Sequence, residues 1–215
     1  MNSTHNHTGK KPQFIVIEGI DGAGTTTQSA LLHKACIHSG IPCMATQEPT
    51  DTSIGKLIRS LLAGKEKISP NTMARLFAAD RYEHVFRPES GIKDQLQAGT
   101  WVISDRYVFS SLAYQGPQVG FDEVYAFNKD VLLPDYTFFL TIPADKAMQR
   151  LGMRESLDLY ETTEFQTQVA KAYSKAFLHY ADTDCKIVEI DATMAIQDIH
   201  GQICRHLNIM PINVE

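Results

Sequence analysis

Short apolar runs alternate with longer amphipathic stretches along most of the chain. Five runs have the length and apolar content of buried strands, at 13–18, 43–48, 101–105, 136–142 and 187–190. The stretches between them have the length and spacing of helices, at 26–39, 53–63, 70–84, 88–98, 109–114, 122–131, 144–150, 164–181 and 195–206. Strands that alternate with helices predict an α/β fold, here a three-layer α/β/α sandwich around a five-stranded parallel sheet.

The chain is expected to form one domain. Its 215 residues contain no internal repeat, no low-complexity linker and no compositional break, which predicts a single domain over 12–215. Residues 1–11 are polar and lack an apolar run. They predict a disordered N-terminal tail rather than a targeting signal.

Charge and cysteine content narrow the functional classes. The net charge of −5 argues against a broad face for nucleic acid or an anionic membrane, and leaves room for a local basic pocket. The four cysteines are scattered without a C-x-x-C pair, which favours reduced thiols over a metal site or a disulfide framework. No apolar segment reaches the roughly 18 residues of a membrane helix. We therefore expect a cytoplasmic protein without nucleic-acid or membrane partners.

The first predicted strand leads directly into a glycine-rich turn that opens a helix. From Gly19 through Gly24 to Thr26 the sequence follows the phosphate-binding pattern G-x-x-x-x-G-K-[ST], except that Thr25 occupies the lysine position. Most of such a cradle is backbone, because glycines let successive N–H groups turn inward beside a helix N-terminus. The pattern predicts a site for nucleotide phosphates. The alternative is a glycine-rich turn without a ligand.

Polar residues also follow the second and third strands. The carboxyl ends of parallel strands meet at one edge of the sheet, where ligands bind in open α/β folds. The residues at that edge are Gln47, Glu48, Pro49 and Thr50, then Asp105, Arg106 and Tyr107, and then Ser110, Ser111, Ala113, Tyr114 and Gln115. A single acidic residue there is often only a turn or a helix cap. Three polar strand ends in one sheet favour a binding site.

Four separated blocks of sequence together resemble the thymidylate kinases (dTMP kinases). The blocks are Ile17-Glu18-Gly19-Ile20-Asp21-Gly22-Ala23-Gly24, Glu48-Pro49, Leu76-Phe77-Ala78-Ala79-Asp80-Arg81, and Asp105-Arg106-Tyr107 through Ala113-Tyr114-Gln115-Gly116. The resemblance extends from Phe14 to about Tyr180. It implies a P-loop NTPase-type fold, transfer of the γ-phosphoryl group of ATP to dTMP, a requirement for Mg²⁺ and a homodimer.

The resemblance also implies roles for individual residues. ATP phosphates would lie on Gly19, Ile20, Asp21, Gly22, Ala23, Gly24, Thr25, Thr26 and Thr27, with Mg²⁺ on Thr26 and Asp105. The dTMP site would comprise Asp21, Glu48, Pro49, Phe77, Arg81, Arg106, Ser110, Ser111, Tyr114 and Gln115. Within it, Arg81 and Arg106 would hold the 5′-phosphate and Phe77 would stack on thymine, with Ser111 and Gln115 near its polar edge. Tyr114 would exclude a 2′-hydroxyl, and Asp21 would accept from the 3′-hydroxyl.

The positive charge missing at Thr25 has a candidate source. Residues 144–161 resemble the mobile lid of the family and carry Lys146, Arg150 and Arg154. The expected catalytic residues are Asp21, Arg106, Arg150 and Arg154. Thr25, Gln47 and Leu159 stand where the family usually has basic residues, which leaves two alternatives open. One is a nucleotide-binding protein with impaired or lost catalysis, and the other is a kinase for another nucleotide or nucleoside.

Overall fold

The computed structural model describes residues 10–152 and 162–213. Its strands are β1 (Phe14–Gly19), β2 (Cys43–Gln47), β3 (Trp101–Asp105), β4 (Tyr136–Thr141) and β5 (Lys186–Asp191). Its helices are α1 (Thr25–His38), α2 (Ser53–Leu62), α3 (Pro70–Phe86), α4 (Ile92–Gln97), α5 (Val108–Tyr114), α6 (Gly116–Val119), α7 (Phe121–Asn128), α8 (Ala144–Leu151), α9 (Thr163–His179) and α10 (Ile196–Leu207).

The five strands form one parallel sheet in the order β2-β3-β1-β4-β5. All six residues of the central strand β1 are buried, which requires helices on both faces of the sheet. Helices α1 and α10 pack together, as do α5 and α9, and both α1 and α5 contact β1. The predicted α/β fold with a five-stranded parallel sheet is confirmed.

The register brings the ends of the central strands to one edge. Ile17 pairs with Asp105 on one side of β1, and Gly19 pairs with Leu140 on the other. On the outer side of β3, Gln47 pairs with Asp105. The residues that follow β1, β2 and β3 therefore lie side by side, as the sequence predicts for a site at the carboxyl edge.

Three helices differ from the sequence prediction by more than two residues or were not predicted, and one of them is α7, which ends at Asn128 rather than at residue 131. The helix predicted from residue 88 begins only at Ile92, because Glu89 has a φ of +67° and its N–H is bonded to the Asp94 carboxylate at 2.7 Å. The sequence pattern does not predict the short helix α6. That helix contains a glycine and a proline, which have low helix propensity.

The remaining predictions about organisation concern the termini and membrane association. Residues 1–9 of the predicted tail lie outside the described residues, and Lys10 donates to the Asn208 carbonyl at 2.6 Å. Of the helices in the described part of the chain, none has the length and hydropathy to cross a membrane.

Candidate active site

A cavity of about 620 Å³ opens at the carboxyl edge of the sheet. The predicted site residues on its wall are Asp21, Gly22, Ala23, Gly24, Thr25, Thr26, Thr27, Glu48, Pro49, Phe77, Arg81, Arg106, Ser110, Ser111, Tyr114, Gln115 and Arg150. Gly19 and Ile20 lie behind the wall, and Asp105 lines an adjoining cavity of about 510 Å³ that shares Thr26. Arg154 and the second half of the predicted lid, residues 153–161, lie outside the described residues.

The phosphate loop has the backbone conformation that its glycines allow. Gly22 and Gly24 have φ values of +84° and +98°, in the left-handed region that disfavours L side chains. Gly24 is the residue before α1, whose first turn begins at Thr25 and carries no acidic side chain. The partial positive charge of the α1 N-terminus is therefore available to an anion in the loop.

Helix α8 packs directly on this loop. A Cβ atom at Gly22 would overlap the Ala147 carbonyl oxygen and would lie 3.0 Å from the Ala147 carbonyl carbon, which leaves no room for a side chain. The close approach brings Arg150, on the next turn of α8, to the loop. Its guanidinium donates to the Ala192 carbonyl at 2.8 Å and lies 3.5 Å from the Gly22 carbonyl. The position of Arg150 at the loop therefore depends on the absence of a side chain at residue 22.

The cations on the described cavity wall are all arginines. They are Arg59, Arg81, Arg106 and Arg150. Thr25 is buried, and its Cγ2 atom lies 3.2 Å from where a Cβ of Gly19 would be. Its short side chain brings no positive charge to the loop.

Asp21 and Arg106 form a partly buried ion pair across the loop. The Arg106 Nη2 atom lies 2.5 Å from Asp21 Oδ1, and Nη1 donates to the Gly19 carbonyl at 2.8 Å. Nη1 also lies 3.3 Å from the Tyr114 hydroxyl. Arg106 has a φ of +70°, which turns the chain sharply after β3 and directs its side chain back to the phosphate loop. The predicted residues Asp21, Arg106 and Tyr114 therefore meet at one point.

Arg81 is fully buried and its terminal nitrogens are already occupied. Nη1 donates to Ser111 Oγ at 2.9 Å and Asn128 Oδ1 at 2.6 Å, while Nη2 donates to Glu48 Oε2 at 2.6 Å and the Tyr107 carbonyl at 3.1 Å. Only the Nε–H is without a partner among the described residues. A guanidinium has five N–H donors, so four are used here. The predicted two-pronged hold of Arg81 on a phosphate is not available in this arrangement.

The side chain of Glu48 is the counterion of Arg81 and faces away from solvent. Its second oxygen lies 3.0 Å from His84 Nδ1, and His84 Nε2 lies 2.7 Å from Thr46 Oγ1. Asp80, next to Arg81, accepts from the Thr50 N–H at 2.7 Å and from its hydroxyl at 2.6 Å. These contacts fix the loop after β2 against α3.

Glu18 is a buried carboxylate to which the sequence pattern assigns no role in the site. One oxygen accepts from the N–H groups of Tyr107 at 3.0 Å and Ser110 at 3.1 Å. The other accepts from the hydroxyls of Ser110 at 2.6 Å and Tyr173 at 2.9 Å. Burial raises the pKa of Glu18 to about 7, and these donors only partly oppose that rise. Glu18 ties the turn before α5 to β1 and so places Arg106.

Two further residues on the wall or behind it are absent from the sequence predictions. Arg59 of α2 reaches the cavity, where it donates to the Pro49 carbonyl at 2.6 Å and pairs with Asp51 at 2.8 Å. Gln166 of α9 is fully buried and donates to Asp21 Oδ2 at 2.7 Å. Arg59 lies on α2, between the Glu48-Pro49 block and the block that contains Arg81, and Gln166 is distant in sequence from the residue it supports. Gln166 is a polar residue on the buried face of α9, and that signal in the sequence could have found it.

The pair Thr26 and Asp105 has the chemistry of a magnesium site. Thr26 Oγ1 lies 2.5 Å from Asp105 Oδ2, and Asp105 Oδ1 is buried with no partner among the described residues. Mg²⁺ is commonly held by one or two protein oxygens together with substrate phosphates. Within the described ranges no cluster of three or more His, Cys, Asp or Glu residues could hold a metal by itself. The residues present therefore fit a metal that arrives with a nucleotide.

The family model for thymidylate kinase matches residues 17–203. The chain belongs to the thymidylate kinase family. A Treponema pallidum (strain Nichols) protein described as a putative thymidylate kinase is 39% identical over 210 residues, which are 96% of this chain and 97% of the relative. The thymidylate kinase of Plasmodium falciparum (isolate 3D7) is 33% identical over 209 residues, 96% of this chain and 94% of the relative. The predicted family is confirmed.

The thymidylate kinase fold is confirmed separately. The structure of the thymidylate kinase from Candida albicans matches this chain with a TM-score of 0.77. The match covers 94% of this chain and 99% of that one, at 24% sequence identity. The two folds therefore correspond over almost the whole length of both proteins.

Proposed function

We propose that this member of the thymidylate kinase family transfers the γ-phosphoryl group of ATP to dTMP, giving dTDP and ADP. One observation carries the proposal. The phosphate loop and the predicted acceptor residues Phe77, Arg106, Tyr114 and Gln115 line a single cavity, so a donor and an acceptor can meet inside it.

The reaction requires the substrates to be positioned and their negative charge to be neutralised, and it requires no general base. The acceptor is a phosphate monoester with a second pKa near ~6, so it is already a dianionic nucleophile at neutral pH. The obstacle is the approach of two polyanions, which the protein overcomes by orienting them and neutralising their charge. Three of the arginines on the wall, Arg59, Arg106 and Arg150, suit that task, because a guanidinium can pair with phosphate oxygens through two parallel hydrogen bonds.

We assign the acceptor phosphate to Arg106 and Arg59. Arg106 lies beside the phosphate loop, next to Asp21. Arg59 reaches the cavity beside Pro49 and supplies the cation that the family usually carries at position 47, where this chain has an exposed glutamine. The two arginines approach from different elements and so confine the phosphate from two sides.

Arg81 belongs to the base end of the cavity. It follows Phe77 by one helical turn on α3, so the two side chains share a face. Its Nε–H, which has no partner within the described part of the chain, can donate one hydrogen bond to a carbonyl group on the base. Ser111 and Gln115 lie on the same wall, and the buried Gln115 Oε1 has no partner among the described residues.

Thr26 and Asp105 would hold Mg²⁺. When bound, the ion would supply positive charge that helps to neutralise the donor phosphates. In this structure the Thr26 hydroxyl donates to Asp105, so the two oxygens are already adjacent.

Arg150 takes the place of the missing loop lysine. Its guanidinium already lies at the Gly22 carbonyl, above the loop where the transferring phosphoryl group would sit. Arginines in such positions raise phosphoryl-transfer rates by roughly 10³–10⁵. Arg154 remains a second candidate.

The test is ADP release with ATP and Mg²⁺, measured against dTMP, dUMP, dCMP, dGMP and thymidine in parallel. We expect turnover with dTMP well above that with the other acceptors. Folded protein that binds dTMP without releasing ADP would instead support the non-catalytic alternative. Preferred turnover of another acceptor would support the second alternative.

We also propose a homodimer, as in the family. Leu57 of α2 and Tyr82 of α3 are 47% and 59% exposed, and these two helices pack against each other. Light scattering after size-exclusion chromatography should give twice the 24.0 kDa chain mass, whereas the mass of a single chain would contradict the dimer.

A further inference from the structure

Gln166 contacts the acceptor end of the site although it belongs to α9, far along the chain. It lies in the first turns of that helix and is fully buried. Its Nε2 donates to Asp21 Oδ2 at 2.7 Å, and its Oε1 accepts from the Asp21 N–H at 3.1 Å. The Tyr114 hydroxyl lies 3.4 Å from the same Oε1.

These contacts require a carboxamide. One end of the side chain must donate, because it faces a carboxylate, and the other must accept, because it faces an N–H and a hydroxyl. The carboxylate of Asp21 thereby fixes which end is nitrogen. A leucine of similar volume would leave a carboxylate oxygen and an N–H without these partners, and an ionised glutamate would place two negative oxygens in contact.

Asp21 is consequently held from two sides. Arg106 binds Oδ1 and Gln166 binds Oδ2, while Arg106 also reaches the Tyr114 hydroxyl. Under the proposed function, Asp21 and Tyr114 face the sugar of the acceptor nucleotide. Gln166 contacts both of them. A carboxylate whose two oxygens are both anchored presents its remaining lone pairs in one fixed direction.

We propose that Gln166 is a positioning residue that orients Asp21 toward the 3′-hydroxyl of the acceptor nucleotide and so sets the preference for a sugar that carries this group. The inference rests on the proposed function for the identity of the acceptor. It concerns binding, however, so it is tested without turnover.

The test compares affinities for dTMP and for 3′-deoxythymidine 5′-monophosphate by calorimetry. In the wild type, dTMP should bind at least about 10-fold more tightly, in line with one charge-assisted hydrogen bond. In Gln166→Leu the ratio of the two affinities should fall to within about 3-fold of unity. The exposed Gln168 on the same helix provides the matched control, since Gln168→Leu should keep the wild-type ratio.

Gln166→Glu keeps the shape of the side chain and adds a pH readout. At low pH the introduced carboxyl group and the Asp21 carboxylate share a proton, so the variant can still donate to Asp21. Its dTMP affinity relative to the wild type should be at least about 10-fold lower at pH 8.5 than at pH 6, because two negative charges face each other once the introduced carboxyl group is ionised. The affinity of Gln168→Glu relative to the wild type should stay level.

An unchanged preference for the 3′-hydroxyl in Gln166→Leu would overturn the proposal, and so would a pH-independent ratio in Gln166→Glu if the leucine variant does not fold. Wild-type protein that binds dTMP with this preference but releases no ADP would remove the proposed function, and loss of the preference in Gln166→Leu would still support the role of Gln166.

Discussion

A lysine at position 25 would carry an ammonium group to the donor phosphates, whereas Thr25 is short and buried. Among the described cations, Arg150 is the best placed to supply this positive charge, because it contacts the carbonyl of Gly22 in the same loop. The two residues differ in origin, since one belongs to the loop and the other to a helix packed on it. If Arg150 neutralises charge only as the phosphoryl group moves, it contributes to kcat rather than to nucleotide affinity.

We therefore predict a large loss of activity in one variant and no substantial gain in another. Arg150→Ala should lower kcat at least about 100-fold with dTMP affinity nearly unchanged, because the lost contact belongs to the transition state. Thr25→Lys should bring little gain or a loss, since a second cation would compete for the same oxygens. Steady-state kinetics measure both, with the exposed Lys146→Ala on the same helix as control. A large gain from Thr25→Lys beside a silent Arg150→Ala would contradict this role.

The two arginines beside the acceptor differ in burial, and so should their effects on stability. Arg81 and Glu48 are almost fully buried, with side-chain exposures of 1% and 3%, whereas those of Arg106 and Asp21 are 19% and 23%. Arg81→Met should lower the free energy of unfolding by about 3–5 kcal/mol, because it leaves a buried carboxylate with His84 as its remaining partner. Arg106→Met should cost clearly less. Urea denaturation gives both values, and equal losses would contradict the argument that the difference in burial decides the effect on stability.

At the scale of whole elements, the loop and helix α8 act as one unit. Gly22 is the residue that lets the backbone of α8 approach, and that approach places Arg150. The glycine at this loop position and the arginine on α8 are thus linked by steric packing in this chain. A side chain at 22 would affect both the loop and a helix more than 100 residues away.

Gly22→Ala should consequently separate α8 from the loop. The new Cβ would clash with the Ala147 carbonyl and would also occupy a positive φ. We expect at least about a 10-fold lower kcat and a loss of about 1–3 kcal/mol in the free energy of unfolding. Gly40→Ala is the control, because Gly40 also has a positive φ but open space around its Cβ. Similar losses in the two variants would show that backbone strain, not contact with α8, is responsible.

The elements are more predictable from the sequence than the contacts between them. Each strand of the sheet is recognisable from a local apolar run, and the glycine loop from a local motif, since periodicity and turn chemistry are properties of neighbouring residues. The predicted start of α4 is wrong because a single positive φ at Glu89 interrupts the helix. Gln166 and Asp21 are 145 residues apart, so their contact exists only after folding. The hydrogen bonds of the two terminal nitrogens of Arg81 likewise depend on three other parts of the chain.

At the scale of the whole molecule, Glu18 links the stability of the fold to pH. It joins β1 to the turn before α5 and to Tyr173 of α9, so its contacts lie at the centre of the domain. Burial raises its pKa from the ordinary 4.5 to about 7. The folded state therefore binds a proton that the unfolded state has lost between these two values, and stability must fall as pH rises through that window.

Glu18→Gln should remove this dependence without removing the hydrogen bonds. The amide oxygen can accept from the N–H groups of Tyr107 and Ser110, and the amide nitrogen can donate to the hydroxyls of Ser110 and Tyr173. Between pH 5 and pH 8, the wild type should lose up to about 3 kcal/mol of unfolding free energy relative to the variant, as a shift of this size requires. The lowered pKa of the buried His200 acts in the opposite direction in both proteins and cancels in the comparison. Urea denaturation of both proteins across this pH range measures the difference, and parallel curves would show that Glu18 keeps its charge in the folded protein.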